Sequence, residues 1–133
     1  MIVVDANILS YFFIPGEFSN SIEKLFKKDP VWYAPLLWRF EFQSVLAKYM
    51  KANLMNISHA NALMEKSEHL LKGRELMIPS EMVLELAVHS GCTTYDCQYV
   101  AAAQLHKSVL ITFDSKLLKS FPQTALLPDK FLK

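Results

Sequence analysis

The chain has 133 residues, of which 52% are hydrophobic and 20% charged, and its net charge is +1. That length predicts one domain over residues 1–133, able to bury about two-thirds of its unfolded surface without disulfides or metals as staples, and the composition excludes a disordered chain. The near-neutral charge excludes recognition of nucleic acid by bulk electrostatics, so an anionic partner has to meet a local patch, for which Arg39, Lys48, Lys51, Lys116 and Lys119 are the candidates.

The first element is Ile2–Val4, three β-branched residues that predict a buried strand. Asp5 follows at once, where a strand ends and a helix starts. The stretch "YFFIPGEF" at residues 11–18 is unusually aromatic for a first connection. It fits core packing, or an exposed patch for a second copy or a partner helix. A helix follows Ser19–Asn20 and runs to about Lys28. The second strand is Val31–Ala34, and a long helix starts after Pro35 and runs to about Lys51. Another helix follows Ser58 and runs to Lys72. The third strand is Leu76–Ile78, and a helix from Pro79 ends near Gly91. A further helix covers about Tyr95 to His106. The fourth strand is Val109–Thr112, a short helix follows Asp114, and Ala125–Leu127 forms a weaker fifth strand.

The strands lack polar alternation, which suits strands covered on both faces. Their alternation with helices predicts an α/β fold with a parallel sheet and helices on both sides. No window approaches the roughly 18 uninterrupted apolar residues of a membrane span. No basic segment precedes an apolar one at the start, so no leader is expected. Cys92 and Cys97 lack the spacing of a zinc site and are expected as reduced, half-buried thiols. Together these features predict a cytoplasmic protein.

In open α/β sheets, sites form beyond the carboxyl ends of the strands. Asp5 and Asp114 both stand at such ends. Asp96 opens the helix in "TTYDCQYVAAAQL", and Glu41 lies within the helix of "APLLWRFEFQSVLAKYM". Asp5 and Asp114 also fit plain helix N-caps, and Asp96 fits the acidic end of a capping box begun by Thr93. Glu41 is different. It sits between Leu37 and Val45 on a mostly apolar helix, where an unpaired carboxylate is costly. Arg39 or Lys48 offers a partial partner; a metal ion or a wet acidic pocket offers a better one. The chain has only five aspartates, and three of them begin elements on one edge. If they meet Glu41 there, the cluster needs a counter-ion, and hard oxygen donors select Mg²⁺ or Mn²⁺. Asn7 and Thr112 stand two residues from Asp5 and Asp114. They fit two roles, orienting a water or an acid, and satisfying the backbone at a turn.

The segments "VVDANIL", "RFEFQSVL", "TTYDCQYVAAAQL" and "ITFDSKLL" resemble those of the PIN-domain nucleases. Among these the chain is most similar to the VapC-type ribonuclease toxins of toxin–antitoxin pairs. The resemblance covers essentially the whole chain and is most specific from Thr93 to Leu118. It implies an α/β/α sandwich around a parallel sheet of four or five strands. It also implies Mg²⁺- or Mn²⁺-dependent hydrolysis of single-stranded RNA by water. Asp5, Glu41, Asp96 and Asp114 would then be the catalytic quartet, with Asp5, Asp96 and Asp114 contacting metal and Glu41 acting through water. Asn7 and Thr112 match small polar positions around that site. The implied partners are an RNA substrate, an antitoxin protein and a second copy of the chain. Ser44 departs from the family, which often has Asn three residues after its Glu.

Two other functions compete. A non-catalytic PIN-like module would use the acidic groove to hold a basic peptide. An Asp phosphoacceptor domain would want an acid pair before Asp5 and a Lys after a late strand, and neither is present. Glu81, Glu85 and His89 share one helix face and are read as solvated, not as metal ligands.

Overall fold

A computed structural model describes all 133 residues. Its elements in chain order are β1 (Ile2–Val4), α1 (Ala6–Phe13), α2 (Ser19–Lys28), β2 (Trp32–Pro35), α3 (Trp38–Lys51) and α4 (Ile57–Leu70). They continue with β3 (Glu75–Leu76), α5 (Ser80–Val88), α6 (Thr94–Leu105), β4 (Leu110–Ile111), α7 (Ser115–Ser120), β5 (Ala125–Leu126) and α8 (Pro128–Leu132). The five strands form one sheet in the order β3-β2-β1-β4-β5, and every neighbouring pair is parallel. This is the expected α/β/α architecture.

The alternation of strand side chains explains why the strands read as unbroken apolar runs. Ile2 and Val4 enter a core built with α1, α2, α3 and α4, where Trp32, Trp38 and Phe42 are fully buried. Val3 points the other way, into a second core with α5, α6 and α7. Leu110 and Ile111 divide between the same two cores. Cys92 and Cys97 lie in the second core as free thiols, buried more deeply than expected.

One helix stands where the chain was expected to be loop, and another, begun at Asp5 as expected, runs on into the aromatic stretch. The aromatic stretch begins inside α1, because Asp5 caps that helix and Ile8 and Leu9 are pulled wholly into the core. Tyr11, Phe12, Phe13, Ile14 and Phe18 pack half-buried against the first core, so this segment is mostly packing. α8 is the unexpected helix, and Pro128 in its first turn starts it. Other boundaries move by a residue or two. The third strand begins at Glu75, not Leu76, because Glu75 pairs with Ala34 on the sheet edge. Its side chain accepts hydrogen bonds from Trp38 Nε1 (2.9 Å) and from Arg39 Nε and Nη2 (2.5 and 2.7 Å). α4 begins one residue before the expected Ser58, because the Asn56 side chain accepts from the His59 amide.

Candidate active site

β1 and β4 are neighbours at the middle of the sheet, with Val4 opposite Ile111. Residues 107 positions apart therefore leave the sheet side by side. Asp5 is buried and caps α1: its Oδ1 accepts from the Ile8 amide at 3.0 Å. Its Oδ2 accepts from the Thr112 hydroxyl at 2.5 Å. Thr112 is fully buried, and the same hydroxyl oxygen accepts from the Asp114 amide at 3.0 Å. One side chain thus joins the two strand ends. Asp114 in turn caps α7, where its Oδ1 accepts from the amides of Lys116 and Leu117 (2.9 and 3.0 Å).

The other two acids come from helices on opposite faces. Glu41 lies in the first turn of α3, half-buried, and its Oε1 accepts from the Tyr99 hydroxyl at 2.5 Å. Asp96 lies in the first turn of α6, whose N-cap Thr93 accepts from the Asp96 amide at 3.1 Å. Asp5, Glu41, Asp96 and Asp114 all line a single open cavity of about 340 Å³. Asn7, Ser44, Lys48 and Tyr99 share its wall. Thr112 stands behind it, against Asp5.

The electrostatics follow from this crowding. Burial pushes Asp5 up to about 6 from an ordinary value of 3.8; its bonds to Thr112 and Ile8 oppose the rise, and the charges of Glu41 and Asp114 add to it. Burial also raises Glu41, against the Tyr99 hydrogen bond and with help from the charge of Asp96. Tyr99 is raised by burial and by the adjacent carboxylate, so it is held as a donor. The acids feel one another across the cavity, as like charges in one site must.

The donor chemistry suits a hard divalent cation. Both oxygens of Asp5 are already hydrogen-bonded, whereas Asp96, the second oxygen of Glu41 and Oδ2 of Asp114 accept no hydrogen bond from the protein. No buried polar side-chain atom lacks a partner, so these free oxygens reach solvent. No three acids, histidines or cysteines are gathered tightly enough to grip an ion between them. The fit is that of a cation that keeps several waters and takes only one or two carboxylates directly, as Mg²⁺ does.

Neither cation expected beside Glu41 pairs with it, and Lys48 takes part in no salt bridge. Arg39 does not serve Glu41; it is bound to Glu75, with Glu68 3.4 Å from its Nη1. The partner of Glu41 is Tyr99, whose part was not read from the sequence. Its position three residues after Asp96 was the available signal, because i and i+3 share a helix face. Glu81, Glu85 and His89 are exposed, as anticipated.

Such a fold, with a notch of carboxylates beyond the strand ends, defines a class. The family model described as PIN domain matches residues 2–122, and the chain belongs to that family. It is 27% identical over 124 residues to Ribonuclease VapC3 of Pyrobaculum aerophilum, covering 91% of this chain and 95% of that protein. Among solved structures it is similar to PAE2754 from Pyrobaculum aerophilum, with a TM-score of 0.77 and 25% identity over 98% of this chain and 85% of that one. FitAcB from Neisseria gonorrhoeae shares the fold at a TM-score of 0.73 and 18% identity, over 96% of this chain and 98% of the other. A toxin–antitoxin complex from Klebsiella pneumoniae does so at 0.67 and 19%, with the same coverage.

Proposed function

We propose that this chain is a divalent-cation-dependent endoribonuclease of the VapC type, the toxin of a toxin–antitoxin pair, acting in the cytoplasm as a single PIN domain over residues 1–133. One observation carries the proposal: four carboxylates from four separate elements line one open cavity. Membership of the PIN family and the similarity to Ribonuclease VapC3 support the choice of RNA. The antitoxin partner and the homodimer belong to the same reading and rest on the family resemblance.

One or two of Asp5, Asp96 and Asp114 would hold Mg²⁺ or Mn²⁺ directly, with the remaining carboxylates, Glu41 among them, reaching it through water. A bound cation would supply charge neutralisation at the phosphate and a lowered pKa for attacking water. The chain's own groups do the rest. Thr112 locks the Asp5 carboxylate in one orientation and fixes the Asp114 backbone beside it. Tyr99 holds one oxygen of Glu41, which leaves the other free to accept a proton from water entering along the phosphate ester. Asn7, exposed on the cavity wall, would orient that water. In the reaction the water oxygen bonds to phosphorus, one P–O ester bond breaks, and the leaving oxygen takes up a proton.

The test is cleavage of a labelled single-stranded RNA in Mn²⁺ by the wild type and the variants Asp5→Asn and Asp96→Asn. Each variant is expected to lose at least about 100-fold in rate, the scale of removing a group that stabilises transition-state charge. Equal rates for all three proteins, or full activity in EDTA, would defeat the assignment.

A further inference from the structure

Beside the acidic cavity lies a second one of about 420 Å³, walled by Tyr11, Phe18 and Tyr49, with Glu17 on its wall. Asn7 and Val45 line both, so the two are immediate neighbours. A volume of this size lies in the range of clefts that hold small ligands.

α3 builds the connection. Glu41, Ser44, Val45 and Lys48 recur at i, i+3, i+4 and i+7 and line the acidic cavity. Tyr49, one turn beyond Val45, lines the second cavity. Lys48 is exposed, takes part in no salt bridge and is the one cation on the acidic wall. Tyr11 and Phe18 pack on each other and on Phe113. Tyr49 is half-buried and lines the cavity with Tyr11 and Phe18, its ring stacks on no other ring, and its hydroxyl makes no hydrogen bond.

We propose that the second cavity receives the nucleobase next to the cleaved phosphate, with Tyr49 as its stacking surface and Lys48 as the contact to the phosphate. This rests on the nuclease reading above. A phosphate approaching four carboxylates needs a protein cation beside it, and Lys48 is placed to be that cation. Glu17 would repel a phosphate from the second cavity, which leaves it to an uncharged base. Single-stranded RNA offers unstacked bases, and an aromatic face beside a positive charge is how proteins hold them.

The experiment measures kcat and KM for a short single-stranded RNA, and for the same RNA made abasic at each position flanking the cleaved bond. Tyr49→Ala is expected to lower kcat/KM by about 10-fold on intact RNA, mainly through KM, the size of one base–aromatic stack. Tyr49→Phe should restore it. On RNA abasic at the matching position, Tyr49→Ala should change nothing further. Lys48→Met should weaken intact and abasic RNA alike and reduce the salt-dependence slope by about 0.7, one phosphate contact on a single strand. The same ranking is expected for binding of fluorescein-labelled RNA in Ca²⁺. Additive losses from Tyr49→Ala and the abasic site would overturn the base assignment, as would a Tyr49→Ala variant that matches the wild type on RNA but releases a bound protein partner. In either case the wild type still cuts RNA; if the wild type does not cut, both proposals fall together.

Discussion

Asp5 is asked to do opposed things. As an N-cap it stabilises α1, by roughly 1 kcal/mol for caps of this kind. As a buried carboxylate facing two other acids it costs stability whenever it is ionised. The sign is fixed by the raised value. Below an ordinary pKa of 3.8 both folded and unfolded chains are protonated and there is no penalty. As pH rises towards 6 the unfolded chain ionises first, so the fold loses stability across that window and carries the full cost above it. Asp5→Asn keeps the cap and removes the charge. Without divalent cations the variant should match the wild type near pH 3 and exceed it at pH 7, by on the order of 1–3 kcal/mol. Urea denaturation at the two pH values checks this. A variant weakened equally at both would mean that the cap and the Thr112 bond outweigh the buried charge.

At the scale of elements, the sheet edge has its own fastening. β3 is only two residues long, and edge strands this short need help. The help comes from α3, where Trp38 and Arg39 both donate to Glu75. Arg39 holds Glu75 below the usual carboxylate range, against a smaller opposing effect of burial. A depressed carboxylate contributes stability above its unfolded pKa, near 4.5, and loses it as pH falls through the folded value. Arg39→Met should therefore destabilise the protein at pH 7 by about 1 kcal/mol, since the pair is partly solvated, and by less near pH 3, where the carboxylate is losing its charge. Thermal melts at the two pH values give the answer, and an undiminished loss at low pH would assign the effect to the packing of the arginine stem over Trp38.

On the scale of the whole molecule, the strand order is what makes a site. β1 and β4 are adjacent although most of the chain lies between them, and α3 and α6 approach the same end from opposite faces. The resulting repulsion is energy that a cation would relieve on binding. Mn²⁺ at about 100 times its dissociation constant should stabilise the fold by about 2.7 kcal/mol through mass action. Protons compete for Asp5, so the gain should shrink as pH falls below about 6. Differential scanning calorimetry with and without Mn²⁺ at pH 7.5 and pH 5 measures both effects. A melting temperature indifferent to Mn²⁺ at both values would count against any metal site.

The order of strands and helices was written locally, in runs of β-branched residues and in caps such as Thr93 and Asp114, because propensity and capping act within a few residues. The demand of Glu41 for a partner was equally legible, since an acid among apolar neighbours is costly wherever the chain goes. Who answers that demand was not legible. Tyr99 takes Glu41 and Arg39 goes to Glu75 because parallel crossovers bring α6, and not the arginine of the same helix, to that carboxylate. How far α1 runs into the aromatic stretch was hidden for the same reason: its aromatic side chains find Phe18, Phe26 and Phe113 only after the chain has closed on itself. Apolar runs and capping residues therefore determined the elements, whereas contacts between distant segments, which no local pattern encodes, decided the pairing of the site.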